Sequence, residues 1–228
     1  MKTIAKINIK GPIISTDQQW IYDWFGMEAT SPKKVNQIIE KIKGKENLEI
    51  EINSDGGDIS AASEIYTAIR NYKNGNKKIN IVGNAHSAAS VIAMAAECYM
   101  SPTAMMMIHK VSTGVSGNSD DMEKMSDVLK TADKTVANAY VEKTGMSIDE
   151  ALLMMKETTW LTAQQAKEKG LIDGIMFEDE SKQLVNSFSG MIPAEVIEKM
   201  QNERLESTKN KVQNKIKFLK LKGEQYEI

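Results

Sequence analysis

Apolar runs of period two alternate with apolar runs of helical period along the first hundred residues, and that alternation leaves few folds open. Ile4 to Ile9 alternates apolar and polar as a strand does, until Gly11-Pro12 breaks it; Ile13-Ile14 keeps the apolar character beyond. A loop rich in Asp, Gln and Trp follows. Ser31-Pro32 then offers an N-cap and a proline at the first helical position, ahead of Val35, Ile38, Ile39 and Ile42 at helical spacing. Leu48, Ile50 and Ile52 alternate again and stop at Asn53-Ser54-Asp55-Gly56-Gly57. Ala62, Ile65, Ile69 and Tyr72 share one helical face. Ile79 to Val82 is a further strand, ended by Gly83. Ala88 to Met100, small and apolar, reads as a buried helix, and Ala104 to Ile108 as a short buried strand. Strand and helix in this order predict an α/β fold with largely parallel strands and right-handed crossovers. Functional sites in such sheets lie beyond the carboxyl ends of strands. Gly56-Gly57 and Ser87 both fall there.

The second half begins with a Gly/Ser-rich loop from Ser112 to Ser119. Met122, Met125, Leu129, Ala132, Val136 and Ala139 then repeat at steps of three and four, a sustained helical seam. Such a helix either lies on its own domain or forms an arm that pairs with another subunit. Ser147 to Glu150 and Thr162 to Gln165 are capping boxes, and Gly170 stops the second of these helices. Leu171-Ile172-Asp173 reads as a strand entry. Residues 178–190 read as a loop. Pro193 to Lys222 is helix-prone and charged, with a sparse stripe of Val196, Ile197, Met200 and Val212 and a basic end (Lys209, Lys211, Lys215, Lys217, Lys220, Lys222). The division is therefore a main domain over 1–177 and a charged tail over 178–228.

Net charge is −2, which gives no reason to expect nucleic acid or an anionic membrane as partner. The single cysteine, Cys98, excludes an internal disulfide, fits a reducing compartment and sits in an apolar run as core packing. The longest apolar stretch is interrupted by Ser90 and Glu97 and is too short to span a bilayer, and the amino terminus lacks a secretory pattern. A soluble, cytoplasmic protein is expected, with no cofactor and no metal.

Three segments carry chemistry. Ser87 lies in Gly83-Asn84-Ala85-His86-Ser87-Ala88-Ala89-Ser90, His109 closes Met107-Ile108-His109, and Gly56-Gly57 precedes both. Together they supply a nucleophile, a base and backbone donors for an oxyanion, the minimum for serine-dependent acyl transfer. Each alone has a plainer reading. Ser87 could cap a helix, His109 could be a core histidine, and Gly56-Gly57 could mark a turn. Their co-occurrence at strand ends favours the chemistry. His86 adjoins Ser87, and neighbours in a turn point apart, so it reads as a bystander.

These segments resemble the Clp protease proteolytic subunit (ClpP) family, especially its ClpP-like head maturation (prohead) proteases of tailed phages. Asn53-Ser54-Asp55-Gly56-Gly57-Asp58 is similar to that family's Asn-Ser-Pro-Gly-Gly, with Asp55 in the proline position. Gly83 to Ala89 resembles its Gly-x-Ala-x-Ser turn, and Met107-Ile108-His109 its Met-Ile-His. Thr159-Trp160-Leu161-Thr162-Ala163, followed by Ala166 and Gly170 to Asp173, resembles the segment after the third triad member, so the likeness runs over about 4–177.

The resemblance implies ClpP/crotonase-like stacked ββα units with a largely parallel sheet, a protruding arm helix and a C-terminal helical tail. It implies Ser87 as nucleophile, His109 as general base and then acid, and the Gly57 and Ala88 N–H groups as the oxyanion hole. The triad aspartate falls on Thr158, which cannot carry its charge. Glu157 could substitute, or Thr158 could orient His109 in a dyad. A slow serine endopeptidase is therefore expected, active after assembly, cleaving scaffold or capsid polypeptides in a bacterial cytoplasm or assembling virion. The resemblance also implies a ring-shaped homo-oligomer through the Met122–Ala139 arm. The start of the chain close to its first strand argues against an unfoldase partner and for ATP-independence. Two alternatives remain: a catalytically weak or inactive assembly protein, and a crotonase-type acyl-CoA enzyme.

Overall fold

A computed structural model describes residues 4–178, 206 and 209–214. Strand β1 (Ile4–Lys10) leads through an irregular stretch and helix α1 (Gln19–Phe25) to α2 (Pro32–Glu40). Then come β2 (Asn47–Ser54), α3 (Ile59–Asn71), β3 (Lys77–His86), α4 (Ala88–Ala93), β4 (Glu97–Met100) and β5 (Met105–Ile108). The second half holds α5 (Ser119–Thr144), α6 (Ile148–Lys156), β6 (Thr159–Thr162), α7 (Ala163–Glu168) and β7 (Gly174–Ile175). The sheet runs β1-β2-β3-β4-β7, all parallel, as the alternating pattern predicts. Ile7, Ile9, Ile50, Ile52, Ile79 and Ile81 are fully buried and form its centre. Each such side chain stabilises the fold by about 1.5–3 kcal/mol relative to exposure.

The feature that positions the site is the division of β3 between two neighbours. Its first half, Lys78–Ile81, pairs with Glu97–Met100 of β4. Its last three residues, Asn84–His86, pair with Met105–Met107 of β5. Strand β5 in turn pairs antiparallel with β6, Ile108 opposite Thr159. The carboxyl ends of β3 and β5 therefore lie side by side.

Several sequence expectations change. Ala88 to Met100 is not one buried helix: α4 ends at Ala93 with Met94 as C-cap, and Glu97–Met100 is a strand. A short apolar run suits a buried helix and a buried parallel strand equally, and here the ladder with β3 decides. Strand β3 does not stop at Gly83 but continues to His86. Gly83 serves close approach instead, since a Cβ there would lie 2.3 Å from Asn53 Oδ1, which accepts the Asn84 N–H. The expected loop after β1 contains α1, which leaves Trp20, Ile21 and Trp24 exposed.

The long helix packs on its own domain through its C-terminal half. Asn118 and Asp121 form its capping box, and Gly145 at φ 76° closes it. Val136, Ala137, Ala139 and Tyr140 are buried on the domain, whereas Met122 and Val128 are exposed. Thr162 and Gln165 complete their capping box, while Ser147 caps α6 through the Glu150 N–H. In the tail, 209–214 are helical; the expected loop over 178–190 and the remaining stripe and lysines lie outside the described residues, apart from Glu178. No described helix is long and apolar enough to cross a membrane.

Cys98 is fully buried on β4, next to an ionic clamp. Asp173 accepts the Cys98 N–H at 2.7 Å and the Lys143 ammonium, which also donates to the Ala96 carbonyl at 3.1 Å. Burial pushes the Cys98 thiol from 9.0 up to about 12, and the Tyr140 phenol from 10.0 up to about 12. Both acids are raised by folding, so the folded state holds their protons longer than the unfolded chain does. The stability that these two groups contribute is complete below about pH 9 and falls as pH climbs toward about 12. Melting temperatures measured between about pH 8 and about pH 11 should decline, with a shallower decline for Cys98→Ala. Equal slopes for the two proteins would remove Cys98 from this explanation.

Candidate active site

Ser87 makes the whole turn between β3 and α4. Its backbone lies at φ 54° and ψ −124°, a region that serine seldom enters. Three bonds hold it there. The Ser87 N–H donates to the Met107 carbonyl on β5 at 2.8 Å. The Ser87 carbonyl accepts the Ser90 N–H at 2.9 Å and the Ser90 hydroxyl at 2.6 Å. Gly56, at φ 97°, presses against this turn: a Cβ there would lie 2.7 Å from the His86 carbonyl oxygen and 2.8 Å from Ser87 Cβ.

His109 follows the last residue of β5. Its Nε2 is 2.7 Å from Ser87 Oγ, and both residues are half-buried. With Nε2 unprotonated, the ring accepts the serine hydroxyl. The backbone beyond His109 is moored on two helices. The Lys110 N–H donates to the Met155 carbonyl of α6 at 3.1 Å, and the Val111 N–H donates to Asp133 Oδ1 of α5 at 2.8 Å. Asp133 is buried, and its other oxygen lies 3.3 Å from Lys110 Nζ.

Gly57 and Ala88 line one cleft with Ser87 and His109, about 460 Å³ in volume. Gly57 is at φ 146°, and a Cβ there would lie 2.1 Å from the Ile13 carbonyl oxygen. The segment around Ile13 brackets this loop: the Ile13 N–H donates to the Gly56 carbonyl at 2.9 Å and the Asp58 N–H to the Ile13 carbonyl at 2.8 Å. Val91, Met125, Val128, Leu129, Ala132 and Val136 give the cleft an apolar wall.

Thr158 and Glu157 stand differently. The β5–β6 register places Thr158 one rung beyond the Ile108–Thr159 pair, at the level of His109. Its φ is 52°, and its side chain, like that of Glu157, is exposed. Among the described residues no hydrogen bond joins either side chain to His109.

Other residues at the site escaped sequence reasoning. Tyr140 of α5 lines the cleft and lies 2.8 Å from Ser90 Oγ. His86, read from the sequence as a bystander beside Ser87, is engaged elsewhere. Its Nδ1 lies 3.0 Å from Asp55 Oδ1, an oxygen that also accepts the Asn84 side-chain amide at 2.8 Å. Its ring meets Trp160 edge-on, with centroids 5.0 Å apart. Asp55 and His86 each precede a site segment, so this pair ties the Gly56-Gly57 loop to the Ser87 turn. The signal in the sequence was the charged residue in the proline position of Asn53–Asp58.

The Clp protease family model matches residues 28–179, which contain Gly57, Ser87, Ala88, His109 and Thr158. The chain is similar to an ATP-dependent Clp protease proteolytic subunit 1 of Chlamydia abortus, 32% identical over 132 residues, 55% of this chain and 68% of that one. A proteolytic subunit 1 of the same description from Leifsonia xyli is 28% identical over 180 residues, 75% of this chain and 89% of its own. A proteolytic subunit 2 from Tropheryma whipplei is 27% identical over 164 residues, 68% and 90% of the two chains.

The contact at Gly56 can be tested directly. Gly56→Ala puts a methyl group against the His86 carbonyl and Ser87 Cβ at a φ that alanine disfavours. Strain alone costs about 1–3 kcal/mol. Thermal melts should show a lowered melting temperature, and a serine-directed probe should label Ser87 more slowly. Unchanged melting and labelling would mean that the loop does not press on the turn.

Proposed function

This chain belongs to the Clp protease family, and from that premise we propose that it is a serine endopeptidase working through a Ser87–His109 dyad. The observation that carries the reading is the 2.7 Å contact between Ser87 Oγ and His109 Nε2, on a strained turn that faces an open cleft. In this mechanism His109 removes the hydroxyl proton as Ser87 attacks a peptide carbonyl, then returns it to the leaving amine. Water next attacks the acyl-enzyme with the same imidazole as base. The N–H groups of Gly57 and Ala88 receive the oxyanion; donors preset in this way are worth about 2.7–4 kcal/mol each in serine peptidases. The apolar wall favours a large apolar side chain next to the scissile bond.

Thr158 supplies no negative charge to the imidazolium, so the chemical step is slow. Glu157 stands one residue from that position and is the nearest substitute. Loss of the corresponding carboxylate lowers turnover by about 10⁴-fold in a Ser-His-Asp protease without abolishing it. The sequence resemblance to head maturation proteases extends the proposal: the substrate is a scaffold or capsid polypeptide, cleaved without an ATP-driven partner, by a ring of identical subunits joined through Met122–Ala139. A second reading, an assembly protein with a degenerate site, draws on Thr158. A crotonase-type acyl-CoA enzyme gains nothing from the Ser87–His109 contact.

A fluorophosphonate should form an adduct on Ser87 in the native protein, and none in Ser87→Ala. His109→Ala should slow labelling by about a hundredfold or more. No adduct on the native protein would leave the assembly reading standing. Thr158→Asp should raise kcat at least about tenfold with little change in KM, because it returns a carboxylate to the level of His109. Co-expression with candidate capsid proteins, read by intact mass with and without Ser87→Ala, tests the substrate. Cleavage by the purified chain without ATP supports independence, and cleavage only with ATP and an unfoldase overturns it.

A further inference from the structure

We infer that Tyr140 and Ser90 are positioning residues of the acyl transfer, holding the Ser87 turn through a buried chain of hydroxyls that starts on α5. The inference rests on the serine-peptidase reading and concerns how that nucleophile is kept in place.

Donor accounting fixes the direction of the chain. The Ser87 carbonyl can only accept. The Ser90 hydroxyl has one hydrogen, and it spends that hydrogen on the Ser87 carbonyl at 2.6 Å. Tyr140, 2.8 Å from Ser90 Oγ, must therefore donate to it. The order is Tyr140 O–H to Ser90 Oγ, then Ser90 O–H to the Ser87 carbonyl. Burial raises the Tyr140 hydroxyl from 10.0 to about 12, so it is protonated, and a donor, at neutral pH.

The chain is out of water. Ser90 is wholly buried and Tyr140 is 2% exposed, so neither hydroxyl can exchange its partner for solvent without cost. It also joins separate elements. Ser90 belongs to α4, directly after the nucleophile, whereas Tyr140 comes from the long helix, 50 residues further on. A serine three residues beyond a turn can cap it locally. The tyrosine adds an external reference, so the carbonyl of the strained residue is aligned on α5, the same helix that supplies the apolar wall. The nucleophile and the wall against which a substrate would lie are thereby held in one frame.

A structural role and a positioning role part company in a double variant. Removing one partner of a buried pair leaves the other unsatisfied, whereas replacing both with apolar groups is nearly neutral for stability. Tyr140→Phe and Ser90→Ala should each lower the melting temperature and reduce kcat on a p-nitrophenyl ester by about ten- to a hundredfold, with KM unchanged. Tyr140→Phe/Ser90→Ala should regain most of the melting temperature while kcat and the rate of fluorophosphonate labelling at Ser87 stay low. A double variant that recovers both stability and turnover, or single variants with native kcat, would overturn the inference. If the native protein itself is not labelled at Ser87, the acyl-transfer reading falls and takes this inference with it; if the native protein is labelled and the double variant is labelled equally fast, this inference alone falls.

Discussion

A serine at φ 54° is the constraint on which the rest of the site depends. Backbone in this region costs about 1–3 kcal/mol, and it persists only where surrounding structure over-determines it. Here the restraints come from several directions. Met107 on β5 takes the Ser87 N–H, Ser90 on α4 gives two hydrogens to the Ser87 carbonyl, and the bare Cα of Gly56 closes against the side chain. Each restraint needs an element in a fixed place: β5 beside the end of β3, α4 beginning at Ala88, and the β2 loop folded over the turn. The division of β3 between β4 and β5 satisfies the first of these. The strained turn is thus the point where the sheet topology is converted into the direction of one hydroxyl.

Much of this was legible because burial leaves a periodic trace. The isoleucines of β1, β2 and β3 alternate, and the helices between them repeat at 3.6, so the parallel sheet followed from pattern alone. Ser87, His109 and Gly56-Gly57 could be singled out because they stand where such strands end. What pattern cannot supply is partnership. Nothing in the spacing says that β3 leaves β4 for β5 after Gly83, yet only that exchange brings His109 to Ser87. Ala88 to Met100 failed for a related reason: uniform apolarity records burial on all sides but not the backbone form that achieves it. The links between Tyr140 and Ser90, and between Asp55 and His86, join polar side chains far apart in sequence. A polar residue carries no mark of its distant partner.

On the proposed serine-peptidase reading, orientation and charge stabilisation, usually supplied together by a triad carboxylate, are separated in this site. His109 is oriented by its backbone. Strand β5 is paired on both sides, and the next two residues are fastened to α6 and α5. Asp133 provides much of that fastening, but its charge is directed to the Val111 amide and the Lys110 ammonium and not to the imidazole ring. The position level with the ring belongs to Thr158, a β-branched residue held at φ 52°. Threonine gains nothing from that backbone; aspartate or asparagine tolerates it better. The backbone at residue 158 therefore suits a short carboxylate better than the threonine it carries. A base that is well placed but poorly compensated can begin an acyl transfer, yet it pays for the imidazolium at every turnover.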